Sequence, residues 1–445
     1  MSTTSRIALL VLPLILSPGC HTGVPAAGTA PSAADAITEE SFARWIDGHV
    51  ARIRPLERAQ ALSYWTASGS GKSEDYEASA AAELALKRVY ADRDQFEYLK
   101  SVRASGRIHD PKLARQLELL YLGHLGNQFD PALMERIVTL SSSIEEKFNT
   151  YRAEVDGRKL SDNEVQEVLS RSADSEARRK VWEASKRIGD VVSTDLITLV
   201  KLRNEAARQL GYENFYKLSL ALDEQDETEL FTLLDEMARL TDGPFREIKS
   251  YLDGELSKRY GVASSALRPW HMEDRFFQET PSVGSVDLDP YYKGRDPNEL
   301  AAQFYDSLGL PARQVIARSD LKGRDGKYQH AYCIDMDREG DVRVMASVLD
   351  NLYWMDTQLH ELGHAVYSVG HDANPDLPFL LRDSAHTLTT EGVANLMGRL
   401  ASNPHWMKRF LALTDAQVAE LEPKLLQRSK MGALVFARWC MVMAN

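Results

Sequence analysis

The chain has 445 residues, enough for two ordinary domains or one large one with a substantial core. An apolar fraction of 44% with 27% charged residues is that of a globular protein and excludes a disordered or membrane-filling chain. A net charge of −12 without a long basic block argues against nucleic acid as the main partner and leaves the fold open.

Residues 1–36 read as an export signal and tether. Arg6 is the only charge ahead of the apolar run Ile7–Leu16, which contains Pro13 and is too short to span a bilayer, where about 20 residues are needed. Ser17-Pro18-Gly19-Cys20 follows, then an Ala/Gly/Pro/Ser-rich stretch from Gly23 to Ala36. A small residue before a cysteine, just past an apolar run, resembles a bacterial lipoprotein cleavage site with Cys20 as the acylated residue. Leu16 stands one place too early for that pattern and Pro18 is unusual in it, so cleavage and release into the periplasm is the alternative; both readings export the protein. Cys333 and Cys440 are the other cysteines, too few for a disulfide framework, and read as small buried apolar side chains.

Residues 37–445 read as one helical domain. From Thr38 to Gly211 apolar residues recur at three- and four-residue spacing, as in Phe42, Trp45, Ile46, His49 and Ile53. Breaks fall at Ser68-Gly69-Ser70-Gly71, Asp110-Pro111 and Asp130-Pro131, and Gly211 supplies a helix stop. Gly261–Pro297 carries Pro269, Pro281 and Pro290 and reads as a long irregular connection. Tyr328–Asp337 then alternates, with His330, Tyr332, Ile334 and Met336 on one side. Arg338-Glu339-Gly340 gives a turn and Val342, Val344 and Ala346 alternate again, so a β-hairpin is predicted just ahead of the next helix.

That helix carries the chemistry. Leu352, Met355, Leu359, Leu362, Val366 and Val369 form one apolar stripe, predicting a helix over Leu352–Val369. His360 and His364, four residues apart, project from one face and suit a shared Zn²⁺ with nitrogens at about 2.0–2.1 Å. Glu361 is rotated by about 100° from His360, so it is placed to act on a water in the metal's open position as a general base. A third histidine at metzincin spacing is ruled out, because Tyr367 and Gly370 occupy the positions that would need glycine and histidine. Thr389-Thr390 precedes a second apolar-periodic run, which puts Glu391 in the first turn of a further helix as the third ligand. The rivals His371 and His386 sit, respectively, too close to His364 and in the approach loop. Asn395, one turn past Glu391, is a candidate to hydrogen-bond a ligand from behind. Two histidines and a carboxylate leave one tetrahedral position for water, as a catalytic site requires, and imply one Zn²⁺ per chain.

His360-Glu361-Leu362-Gly363-His364, then Leu377-Pro378-Phe379-Leu380-Leu381-Arg382, then the acidic ligand, resembles the peptidyl-dipeptidase A family, whose best-known member is angiotensin-converting enzyme. The His330-Ala331 pair and Val200–Arg208 with Gly211-Tyr212-Glu213 agree with it, and the resemblance runs from about Asp174 to Cys440. It implies a mainly α, two-lobed helical zincin with a deep central cleft and removal of C-terminal dipeptides from oligopeptides. It also implies that His330 hydrogen-bonds substrate and that the Ala331 backbone pairs with it as an added strand. The sequence departs from the family in three ways. The spacing from His364 to Glu391 is longer than in the animal enzymes, and no glutamine near Trp270–Asp274 matches the one that takes the substrate's terminal carboxylate. The amphipathic pattern of Met431, Leu434, Val435, Trp439 and Val442 runs to the chain's end without a cap, so the sequence reads as truncated ahead of the family's lysine, histidine and tyrosine donors. A related oligoendopeptidase or metallocarboxypeptidase, or a zinc-bearing peptide-binding protein without turnover, are the alternatives. The implied partner is an oligopeptide, and the only membrane association is through Cys20.

Overall fold

The computed structural model describes residues 37–282 and 286–444, so the stretch expected to be an export signal, with Cys20, lies outside the described residues. The chain is mainly α-helical, as the sequence predicts, with two small antiparallel hairpins among the described residues.

The first half is a succession of helices whose ends the sequence marks. Helix α1 (Glu39–Ser70) begins at a capping box, in which the Thr38 hydroxyl accepts the Ser41 N–H, and stops at Gly71 in the left-handed region. Helices α2 (Ser73–Tyr90) and α3 (Arg93–Ser105) follow, then α4 (Pro111–Leu125) and α5 (Pro131–Thr150). The last two start alike, with an aspartate cap and proline at the first helical position, where its missing N–H costs nothing. A hairpin of β1 (Ala153–Val155) and β2 (Arg158–Leu160) interrupts what the periodicity presents as unbroken helix. Its turn is Asp156-Gly157, both at positive φ, the dipeptide that two-residue hairpin turns favour. The flanking strands are only three residues each, too short for alternation to show against the surrounding helical pattern. Helices α6 (Asp162–Arg171), α7 (Ser175–Lys186), α8 (Ile188–Gln209), α9 (Phe215–Leu222) and the long α10 (Glu227–Tyr260) complete this half.

After the irregular stretch, α11 (Asp289–Tyr292), α12 (Pro297–Asp306) and α13 (Ala312–Arg318) lead to the second hairpin, β3 (Tyr332–Asp335) with β4 (Val342–Met345). The first strand is shorter than the alternation predicts. Tyr328 donates its N–H to the Ser68 carbonyl (2.8 Å), so the start of the alternating run is tied to the end of α1, and pairing with β4 begins only at Tyr332. Helix α14 (Leu352–Asp372) starts at the predicted residue, with the Asn351 side chain accepting the Trp354 N–H, and runs one turn further than its apolar stripe. Helices α15 (Thr387–Gly398), α16 (Pro404–Leu411) and α17 (Asp415–Ala444) end the described chain. No helix among the described residues is long and apolar enough to cross a membrane.

The largest core surrounds α14. Met355, Leu359 and Leu362 are fully buried against Phe304 and Tyr305 of α12, Val315 of α13, Val342 and Val344 of β4, and Trp406 and Met407 of α16. Each such side chain contributes about 1.5–3 kcal/mol on burial, so α14 is the most firmly held element near the site. The Tyr305 hydroxyl donates to the Leu359 carbonyl (2.5 Å), fixing the helix one residue before His360.

The end of α1 is clamped to the loop leading into β3. A Cβ on Gly71 would sit 2.2 Å from the Gly326 carbonyl oxygen, and Gly71 itself has φ 69°. Arg324 donates to the Gly69 carbonyl (2.7 Å), and the Tyr332 and Ser68 hydroxyls share a hydrogen bond (2.5 Å). Gly71→Ala therefore meets both left-handed strain and a backbone clash, and is expected to cost about 2 kcal/mol or more. The check is urea unfolding, where the midpoint should fall at unchanged slope; an unaltered midpoint would show that the loop yields freely.

Candidate metal centre

His360 and His364 leave α14 toward the same point, their Nε2 atoms 3.0 Å apart. Glu391 on α15 reaches that point from the other side, with Oε1 3.5 Å from His364 Nε2 and Oε2 3.8 Å from His360 Nε2. A tetrahedral ion with donors at about 2.0–2.1 Å separates them by roughly 3.3 Å, so these spacings fit one ion of zinc's size. Among the described residues this is the one group of three or more His, Cys, Asp or Glu side chains close enough to share a metal. His360 is 3% exposed, His364 17% and Glu391 33%, so the donors converge on a point that is closed behind His360 and open beside Glu391.

What lets the carboxylate reach is the spacing of two helices. A Cβ on Gly363 would lie 2.9 Å from Ala394 Cα, and one on Gly398 would lie 2.9 Å from Asp356 Oδ1 and 3.3 Å from His360 Cβ. Glycine on each helix thus allows close approach, Gly363 from between the two histidines and Gly398 against Asp356 and His360.

The surroundings of the ligands are partly those the sequence predicts. Asn395 does stand behind Glu391, but its Nδ2 donates to the Glu391 backbone carbonyl (2.7 Å), stabilising the helix turn that carries the ligand. The side chain that orients a ligand histidine is Thr390, whose Oγ1 lies 2.8 Å from His364 Nδ1. With Nδ1–H donating to that hydroxyl, Nε2 keeps its lone pair for the metal. Sequence reading passed over Thr390 as a helix-start residue; its place beside the acidic ligand was the available signal. Helix α15 in fact begins at Thr387, because His386 is its cap: Nδ1 accepts the Leu388 N–H (3.0 Å). Glu391 consequently sits beyond the first turn, and His386, whose Nε2 faces Gln225, is no ligand. His371 packs on the Tyr367 ring instead.

Glu361 is buried at 4% exposure on the neighbouring face of α14. Burial, and next the Glu361 carboxylate, push the Cys333 thiol well above its ordinary range, which places β3 alongside the candidate base. His330 and Ala331 precede that strand. Ala331 is buried in the α14 core. His330 Nε2 lies 3.5 Å from Asp162, its ring is stacked on Phe148, and burial lowers its pKa so that it is neutral at pH 7.

The sequence pattern of a peptidase family described as angiotensin-converting enzyme matches residues 37–271. The chain belongs to the angiotensin-converting enzyme family of peptidases. The matched stretch, α1 to the end of α10 and the turn after it, includes the helices before Asp174, where the sequence motifs of the resemblance are weakest. It ends well before α14, so the metal-binding geometry is an independent observation that agrees with the family's general dependence on zinc.

If Thr390 orients His364, Thr390→Val should weaken zinc binding by about tenfold or more. Competition against a chromophoric chelator measures this, with metal-free thermal unfolding as the control; unchanged affinity would reduce Thr390 to a packing residue.

Proposed function

We propose that this protein is a zinc-dependent peptidase that hydrolyses oligopeptides and releases C-terminal dipeptides. The observation that carries the reading is the convergence of His360, His364 and Glu391 beside the buried Glu361, within a chain of this peptidase family. Those three residues would hold one Zn²⁺, which supplies polarisation of the scissile carbonyl and a lowered pKa for the attacking water.

The rest is the work of the chain's own groups. The Glu361 carboxylate takes the proton of the attacking water and passes it to the nitrogen of the leaving amine, so the acid and base roles fall on one side chain in sequence. Thr390 holds the His364 imidazole in the tautomer that leaves Nε2 available. His330, kept neutral, donates a hydrogen bond to a substrate carbonyl, and the backbone at Ala331 pairs with the peptide as an added strand. The dipeptide cut and the roles of His330 and Ala331 are supported by family resemblance. We further propose export to the periplasm with lipid anchoring at Cys20, supported by the pattern of residues 1–36.

Glu361→Gln should retain one zinc per chain by elemental analysis while kcat falls by about 10²–10⁴. Turnover near the native rate in the metal-loaded variant would remove Glu361 as the base. Mass spectrometry of products from peptides with free and amidated C-termini reads the cut, with dipeptides from the free ends only as the expected result.

A further inference from the structure

His49 lies on the apolar face of α1, and the zinc centre makes no use of it. In the fold it meets His124 of α4, the two ring centroids 5.4 Å apart. The Tyr90 ring stands edge-on to both, 5.4 Å from His49 and 5.1 Å from His124, and the Trp45 indole stacks on His49 at 5.3 Å. Both histidines are buried, His124 completely, and the core around them is that of Phe42, Ile46, Leu117 and Leu120 on the same two helices.

The partners of the two rings fix where their protons sit. Gln95 donates from Nε2 to Asp92 Oδ2 (2.9 Å), so it turns Oε1 toward His49, and His49 Nδ1 (3.1 Å) must be the donor there. His124 Nδ1 lies 2.8 Å from the Leu120 carbonyl, which only accepts, so it donates as well. Burial pulls both rings below the ordinary histidine range, to about 4, so each is neutral at pH 7 and its single proton is spent. Both Nε2 atoms are left with a bare lone pair, buried and without a hydrogen-bond partner. An unmet buried acceptor is destabilising, and here two come together. A neutral imidazole with its Nδ1–H held by an oxygen and its Nε2 bare is the form in which histidine ligates metals.

Two imidazoles that share one ion at about 2.0 Å have centroids about 5–6 Å apart for angles from tetrahedral to linear, and the observed spacing lies in that range. Three donors converge only at the zinc centre, so this pair does not serve zinc, which takes at least three from the protein. The charged groups that act on both rings are Asp92 at the start of α3 and Arg52 on α1, which offset each other. A doubly charged ion therefore stays uncompensated in apolar surroundings. Imidazole suits copper, and its monovalent d10 ion, with no geometric demand from its d-electrons, accepts as few as two donors. We infer that His49 and His124 form a second metal site, which takes one Cu(I) ion through the two Nε2 atoms and bolts α1 to α4. The pair touches none of the reacting groups, so this site stands or falls apart from the peptidase reading.

The test measures binding and does not depend on turnover. Zinc-loaded native protein is equilibrated without oxygen against Cu(I) held by a chromophoric chelator, and both metals are counted by elemental analysis. One Cu(I) per chain should be taken up with the zinc retained, and copper X-ray absorption should show two imidazole nitrogens and no sulfur. His49→Phe and His124→Phe should each weaken Cu(I) binding at least tenfold without loss of zinc, with copper-free thermal unfolding as the control for the fold. Cu(I) should also raise the unfolding midpoint of the native protein and leave that of either variant in place. If neither variant folds, the absorption spectrum of the native protein decides. No copper beyond what displaces zinc, a spectrum with sulfur donors, or equal Cu(I) affinity in native and variant proteins overturns the inference; in the first case the two lone pairs are met by a buried water.

Discussion

The approach of α14 to α15 at backbone distance is the constraint on which the site depends. Two histidines four residues apart are delivered by one helix and need only its regular geometry. The third donor comes from another element, and its carboxylate has a short reach. Gly363 against Ala394, and Gly398 against Asp356 and His360, set the separation of the two axes. A methyl group at either glycine would meet atoms at 2.9 Å and push the carboxylate away from the imidazoles. The hydrophobic packing of α12, α13, β4 and α16 around α14 gives that contact something rigid to work against.

The second wall of the site is built from far away in sequence. The β3–β4 hairpin lies between α14 and α1. Arg58 pairs with Asp337 (2.9 Å), Arg54 pairs with Glu339, and Arg338 is held between Glu57 and Asp383, each 3.4 Å away. These pairs are partly exposed and individually weak, but they reach from α1 across the hairpin turn to the loop that approaches α15. Buried contacts do the same on the inside, where Tyr332 packs with Tyr64 and Ala82. The residues ahead of β3, His330 among them, are therefore positioned by α1 and by the α6–α7 region as much as by the strand they precede.

Much of this was legible from the residues. The start of α14, the face shared by His360 and His364 and the offset of Glu361 follow from helical periodicity and cap chemistry, which are local; Glu391 was placed on a second helix by the same periodicity, though not at the turn where the structure has it. Features that escaped are those in which a distant group overrides a local signal. The Ser68 carbonyl captures the Tyr328 N–H and shortens β3, and His386 caps α15 ahead of the threonines that look like its start. The Asp156-Gly157 turn carried its signal, but three-residue strands gave no alternation to support it. His49 and His124 carry no motif at all; only the folded chain brings their rings together.

The contact between Gly71 and Gly326 has a kinetic side. It joins positions 255 residues apart, so α1 cannot acquire its final neighbours until most of the chain has been made. Loop-closure entropy for such a separation has to be met before the contact returns any stability, a pattern associated with slow folding. During synthesis the face of α1 that carries Tyr64 and Ser68 stays uncovered, waiting for the hairpin. The earlier part of α1, at Phe42, Ile46 and Ile53, needs only α2, α3 and α4, which follow it directly, so topology alone divides the docking of this helix into a local and a distant part.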